Sequence, residues 1–219
     1  KPLAAHHEGG IVDCSIGTPI DAPPKQVVEA LANSDMERSY PPSIGTPAFR
    51  EEIASWSLNR LGCKIDPATE IAAAVGTKEF VAGLPHWMKL RDPNRDTVLY
   101  PAVSYPSYEM GATLAGCRSV AVPVDENWSI QLEAVSKEDR ARALLLWVNT
   151  PGNPAGGLDD LDAVANWGRT NQIPVFSDEC YCEFTWDGSP RTILSSGTQG
   201  VVSVHSLSKR SNLAGLRAG

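Results

Sequence analysis

Short, dense apolar runs alternate along the chain with stretches in which apolar positions recur every three or four residues. That alternation predicts strands and helices in turn. Strands are expected at residues 71–75, 97–100, 119–122, 143–148, 174–177 and 201–205. The run Ala143-Leu144-Leu145-Leu146-Trp147-Val148 has no polar break, the pattern of a strand covered on both faces. Helices are expected between these runs, at 77–90, 107–115 and 158–170. Another is expected after Thr46-Pro47, which read as N-cap and first-turn proline. In it Phe49, Ile53, Trp56 and Leu61 form an apolar stripe and Gly62 supplies the stop. Strand–helix alternation implies a doubly wound α/β fold whose sheet is mostly parallel. In such sheets ligands sit in the loops beyond the carboxyl ends of the strands.

The first forty residues break the pattern. Gly17-Thr18-Pro19, Pro23-Pro24 and Pro41-Pro42 surround one short helical stretch at 25–32, an irregular lead-in. Residues 1–40 are therefore expected to be an N-terminal arm and linker, and 41–219 the main domain. The chain begins at Lys1 without a methionine and stops at Gly219 just past its richest motif, so a longer parent protein is expected.

Composition narrows the function classes. The formal net charge is −7, which argues against a polyanion-binding surface such as one for nucleic acid. A small anion held by local donors remains compatible with it. No apolar run approaches the roughly 20 residues of a membrane span, and residues 1–10 carry no secretory h-region. The five cysteines (Cys14, Cys63, Cys117, Cys180, Cys182) are odd in number and scattered, without paired metal spacing. They read as reduced thiols of a cytoplasmic protein that binds no metal. The sequon at Asn127-Trp128-Ser129 reads as chance in that setting.

Candidate chemistry collects at the ends of the expected strands. Ser206-Leu207-Ser208-Lys209, with Arg217 downstream, follows the run at 201–205. A lysine whose pKa a pocket lowers becomes a nucleophile and forms Schiff bases, and a hydroxyl and a guanidinium suit phosphate oxygens. Alone, the segment also describes a basic surface loop. Asp178, with Tyr181 three residues on, closes the run at 174–177; a carboxylate there could hold a protonated ring nitrogen, or merely cap a turn. Asn153 lies in the turn Asn149-Thr150-Pro151-Gly152-Asn153-Pro154, where the following proline keeps it extended. Gly76-Thr77-Lys78 opens a helix whose free N–H groups suit a phosphate, or form a plain cap. Tyr40 and Tyr105 alone would be packing residues.

In this order the motifs resemble the fold-type I pyridoxal-phosphate (PLP) aminotransferases over essentially the whole chain. Gly17-Thr18-Pro19, Gly76-Thr77-Lys78-Glu79-Phe80-Val81-Ala82 and His205-Ser206-Leu207-Ser208-Lys209-Arg210-Ser211-Asn212-Leu213-Ala214-Gly215 are most similar to the actinobacterial succinyldiaminopimelate aminotransferase group. The resemblance implies a three-layer α/β/α large domain at 41–219, incomplete here, with residues 1–40 belonging to an arm and small-domain segment. It implies Lys209 as the Schiff-base lysine that also carries the transferred proton. Asp178 would face the ring nitrogen, Tyr181 and Asn153 the ring hydroxyl, and Tyr105 the ring face. Gly76, Thr77, Lys78, Ser206 and Arg217 would surround the phosphate. Tyr40 would reach the phosphate of a neighbouring subunit in a homodimer, and Gly17 would lie near the substrate carboxylate. The implied reaction moves an amino group between glutamate and a keto acid, the N-succinylated diaminopimelate precursor first. The arginine that grips the substrate α-carboxylate in that family has no position here.

Several alternatives remain open. An aspartate or aromatic aminotransferase, or a PLP β-lyase, would keep the same cofactor residues. A catalytically incompetent PLP-fold fragment is the non-enzymatic reading. A dehydrogenase would need Gly-x-Gly-x-x-Gly after an early strand and a P-loop NTPase Gly-x4-Gly-Lys-Ser/Thr; neither run occurs. A regulator's sensor domain would need a basic DNA-binding partner domain, which is absent from the sequence.

Overall fold

In a computed structural model describing residues 6, 8–10, 12, 17, 21–34 and 38–219, five strands form one parallel sheet. They are β1 (Thr97–Pro101), β2 (Arg118–Val122), β3 (Ala143–Asn149), β4 (Val175–Asp178) and β5 (Val201–Val204), in the spatial order β2-β1-β3-β4-β5. The uninterrupted apolar run makes β3 the central strand, buried at every position. The edge strands β2 and β5 keep exposed positions.

The helices are α1 (Lys25–Ala32), α2 (Pro47–Leu61), α3 (Thr77–Arg91), α4 (Ser107–Leu114), α5 (Lys137–Arg142), α6 (Leu161–Asn171) and α7 (Leu207–Arg210). On one sheet face Val81 and Leu84 of α3 and Tyr108 and Ala112 of α4 pack with Val98, Leu145, Trp147 and Phe176. On the other, Leu161, Val164 and Ala165 of α6 pack with Leu146, Val148 and Val175. These are the three layers expected, because a parallel sheet must be covered on both faces.

Local capping sets the helix limits. Thr46 accepts from the Phe49 N–H at 3.2 Å and Gly62 closes α2 at φ +66°, both as the sequence predicts. The α2 stripe is only half-buried, however, and Ser57 is the helix's one buried residue. α6 begins at Leu161 rather than 158, because the Asp160 carboxylate caps the N–H groups of Asp162 and Ala163. Asp159 meanwhile accepts from the Ile130 N–H and the Thr150 hydroxyl, which holds that loop out of the helix.

The strand expected at 71–75 does not form. Ala73 donates to the Ile44 carbonyl, and Ala74 exchanges both backbone hydrogen bonds with Gly219, a pairing one residue long. Val75 is left 79% exposed, so the segment's apolar character does not reflect burial in a sheet. α5 was not anticipated: Lys-Glu-Asp-Arg-Ala-Arg has no apolar periodicity and rests on its Ser136 cap.

Among the described residues no helix is long and apolar enough to cross a membrane, and no cluster of three metal-ligating side chains forms. Cys63, Cys117, Cys180 and Cys182 are free thiols; Cys14, and Thr18-Pro19 of the Gly17 motif, lie outside the described residues.

Candidate active site

Parallel strands end together at one edge, and the loops leaving β3, β4 and β5 there enclose a cavity of about 630 Å³ with the start of α3. Every candidate residue except Gly76 and Tyr40 lines it: Gly17, Thr77, Lys78, Tyr105, Asn153, Asp178, Tyr181, Ser206, Lys209 and Arg217.

The carboxylate side is built by β4. Asp178 is its last residue and is buried, with Oδ2 accepting from the Tyr108 hydroxyl at 2.8 Å and Oδ1 from the Cys180 N–H at 3.2 Å. Tyr108 is wholly buried and stacks on Trp147, ring centroids 5.2 Å apart. Burial first, and then the charge of Asp178, holds its phenol well above the ordinary range, so it stays a donor. Burial, with Cys180 and Asp178 after it, likewise raises the Tyr181 phenol, and burial followed by Asp178 raises the Cys180 thiol. Asn149 ties neighbouring loops together: its Nδ2 donates to the Asp178 carbonyl at 2.8 Å and its Oδ1 accepts from the Asn153 N–H at 2.7 Å.

The cationic side is built by α3, α7 and Arg217. Gly76, the N-cap of α3, offers no side-chain acceptor to the first-turn N–H groups. Its φ is +80°, and a Cβ there would lie 2.3 Å from Arg217 Nη2, so the guanidinium rests against bare backbone. Gly76 thus meets the cavity only through Arg217, which it leaves room for. Arg217 also donates to the Ala214 carbonyl at 2.9 Å and lies 3.5 Å from Glu79. The buried Ser206 hydroxyl caps α7 by accepting from the Ser208 N–H at 3.0 Å. One turn on, Lys209 Nζ donates to the Gly17 carbonyl at 2.6 Å, which keeps the amine in the cavity.

Tyr40 is fully exposed and outside the cavity. Sequence reasoning missed Tyr108, Asn149 and Cys180. Asn149 was legible as the polar end of the most apolar strand. Tyr108 was not, because a tyrosine on an amphipathic helix carries no mark of its partner.

The donor set fits PLP by its chemistry. It offers two cations and two hydroxyls for a phosphate, a buried carboxylate for a ring nitrogen, a phenol and an amide for a ring hydroxyl, and an amine for an aldehyde.

Residues 10–219 match the family model described as aminotransferase class I and II. A 4-dedimethylamino-4-oxo-anhydrotetracycline transaminase of Streptomyces rimosus is 40% identical over the whole chain and 60% of its own length. An LL-diaminopimelate aminotransferase of Aquifex aeolicus is 32% identical, over 95% of the chain and 56% of its own length. The solved structure of a probable N-succinyldiaminopimelate aminotransferase from Thermus thermophilus superposes with a TM-score of 0.86 at 32% identity, over 96% of this chain and 58% of that one. The chain thus spans somewhat more than half the length of these relatives.

Proposed function

The chain belongs to the class I and II aminotransferases, a PLP-dependent family, and from that premise we propose that it holds the cofactor in the cavity between Lys209 and Asp178 and serves transamination between glutamate and a keto acid. The observation that carries the reading is the convergence of the Lys209 amine, the buried Asp178 carboxylate and the cations Lys78 and Arg217 in one cavity. PLP, when bound, supplies the electron sink that lets an amino group leave one acid and join another.

The chain's own residues do the rest. Arg217, Lys78, Ser206 and Thr77 bind the phosphate with charge and hydroxyl donors around the uncapped start of α3. Asp178, its acceptor atoms oriented by Tyr108 and the Cys180 N–H, keeps a proton on the ring nitrogen. Tyr181 and Asn153 orient the ring hydroxyl, and Tyr105 covers the ring face. Lys209 Nζ takes and returns the proton at the substrate α-carbon, and one amine serves both substrates because both present that carbon in the same place. Gly17, whose carbonyl accepts from Nζ, would lie near the substrate carboxylate in this reading.

The division into an arm (1–40) and a cofactor domain (41–219), a homodimer to which Tyr40 contributes across the interface, and a cytoplasmic setting belong to the same reading. The full exposure of Tyr40 supports its availability to a partner. For the substrate paired with glutamate, the Gly76–Ala82 and His205–Gly215 segments favour the N-succinylated keto-pimelate precursor, whose aminated product is N-succinyl-diaminopimelate, as does the Thermus thermophilus structure. A second reading, a bulky cyclic ketone as acceptor, is favoured by the identity to the tetracycline-pathway transaminase.

Borohydride reduction of the PLP-loaded full-length protein, followed by digestion and mass spectrometry, tests the site. The expected result is a phosphopyridoxyl tag on Lys209, absent from Lys209→Ala; a tag elsewhere overturns it. A donor panel with 2-oxoglutarate then separates the substrates. If aspartate, phenylalanine or LL-diaminopimelate exceeds N-succinyl-diaminopimelate widely in kcat/KM, the succinylated substrate is wrong while the aminotransferase reading stands.

A further inference from the structure

Behind the cavity, on the opposite sheet face, lies a polar cluster that the proposed chemistry does not use. Asp178 ends β4 facing the cavity, whereas the next residue, Glu179, turns its carboxylate to Ile193 and Ser203 instead. Glu179 is 1% exposed. Its Oε1 accepts from the Ile193 N–H at 2.8 Å and its Oε2 from the Ser203 hydroxyl at 2.7 Å. His205 Nε2 lies 2.6 Å from Ser203 Oγ and 3.3 Å from Glu179 Oε2. Ser203 donates to the carboxylate, and His205 Nε2 lies within reach of both that hydroxyl and Glu179 Oε2. The His205 ring meets Trp56 of α2 edge to face, centroids 4.9 Å apart, and the Arg210 guanidinium lies 4.2 Å over that same Trp56.

This arrangement solves a mechanical problem. α7 carries Lys209 but is four residues long, a single turn that cannot hold itself. On one side it is tied by backbone hydrogen bonds of Leu207 with Ala218 and Leu213. On the other, His205, just before the Ser206 cap, is held by Glu179 and Ser203, and Arg210, the last residue of α7, by Trp56 and by Glu183 4.0 Å away. The last backbone rung between β4 and β5 is the Glu179 N–H to the Val204 carbonyl, 2.9 Å. Beyond it, side chains join the segment after Asp178 to the one that carries Lys209: Glu179 meets His205, Cys182 Sγ lies 3.9 Å from His205 Nδ1, and Glu183 pairs with Arg210 at 4.0 Å.

We propose that Glu179, His205, Trp56 and Arg210 form a rear clamp whose task is to fix Lys209 relative to Asp178; they are positioning residues that touch neither cofactor nor substrate. The inference rests on Lys209 and Asp178 binding the two ends of PLP. A ligand that bonds to both is sensitive to their relative position, whereas one held by ring and phosphate contacts alone is much less so.

The test compares PLP with pyridoxamine 5′-phosphate, which presents the same phosphate, ring nitrogen and hydroxyl but an amine in place of the aldehyde. Dissociation constants of both are measured for the full-length protein and for His205→Phe, which keeps a ring against Trp56 but loses the Nε2 contact. Arg210→Met, which keeps the stem packing, is the second variant should His205→Phe not fold. The expected result is a rise of roughly tenfold or more for PLP, the scale of one hydrogen bond to a charged group, with pyridoxamine phosphate changing less than threefold. Equal weakening of both ligands, or a fall in Tm with neither changed, reduces the cluster to a fold-stabilising role and overturns the clamp. Wild-type protein that is not tagged on Lys209 by borohydride overturns the underlying reading and the clamp with it.

Discussion

The Tyr108 hydroxyl donates to Asp178 Oδ2 across 2.8 Å of fully buried interior, joining α4 to the end of β4. The phenol keeps its proton, so it donates to the carboxylate and fixes one of its oxygens. Tyr108→Phe keeps the stack on Trp147 and removes one oxygen. A hydrogen bond to a charged group contributes ~1.5–3 kcal/mol, so kcat/KM should fall by roughly 10- to 100-fold. Steady-state kinetics on the full-length variant check this. An unchanged rate would mean that Asp178 needs no help from α4.

Gly76→Ala should weaken PLP binding more than it weakens the fold. Left-handed φ disfavours any side chain there, and the added Cβ would overlap the Arg217 guanidinium. Arg217 must then move, and the phosphate loses a charge-assisted donor. Isothermal titration should show a dissociation constant raised ~10-fold or more, scaled on that one interaction. Moving the arginine instead, Arg217→Lys should lose a comparable amount, because a point charge replaces a planar fork.

The two substitutions differ in how far the sequence announces them. Gly76 was legible because a glycine between an apolar run and a helix start has few other uses. Lys209, Asp178 and Asn153 were legible because each follows an apolar run, and in a parallel sheet those runs end side by side. The misplaced strand at 71–75 shows the limit of the same logic: an apolar run becomes a strand only where another strand lies alongside. Tyr108, Glu179 and His205 were out of reach for a different reason. Their partners come from other elements, 70 positions away for Tyr108 and Asp178, and no local pattern encodes a cross-sheet hydrogen bond. α5 was invisible because its six residues are held by a cap and charges rather than by an apolar face.

Acid should expose the Glu179 cluster. Burial pushes this carboxyl up, but the hydrogen bond and charge of His205, the Ile193 N–H and the Ser203 hydroxyl outweigh it, and the net effect is a lowered pKa. A group whose pKa is lower when folded adds stability that is fully present above its unfolded value. That stability is lost as pH falls through the ordinary value of 4.5 toward the folded one. Asp66, Asp96 and Glu183 are lowered as well and shape the same limb, so the variant isolates one share. Glu179→Gln should flatten the fall of Tm below about pH 4.5 and lower Tm at neutral pH. Parallel wild-type and variant curves across pH 3–6 would remove Glu179 from the acid response.

Asp178→Asn separates holding the cofactor from using it. The amide keeps the size of the carboxylate and can still accept from Tyr108 or the Cys180 N–H through its one oxygen. Packing at the end of β4 is therefore preserved. The proposed phosphate donors Arg217, Lys78 and Ser206 are untouched, as is Lys209. What disappears is the negative charge opposite the ring nitrogen. Without it nothing in the cavity keeps that nitrogen protonated, and the electron sink weakens at the moment charge develops in the transition state. PLP affinity should consequently change by less than about tenfold. The kcat should fall by ~10²–10³, the scale of losing a preorganised electrostatic contact made chiefly in the transition state. Because the contact acts in the transition state, kcat and kcat/KM should fall together while KM stays near its wild-type value. Lys209→Ala gives the contrasting pattern, losing the covalent hold and the proton carrier together. A variant Asp178→Asn that turns over within threefold of wild type would show that the buried carboxylate serves the fold of β4 rather than the chemistry.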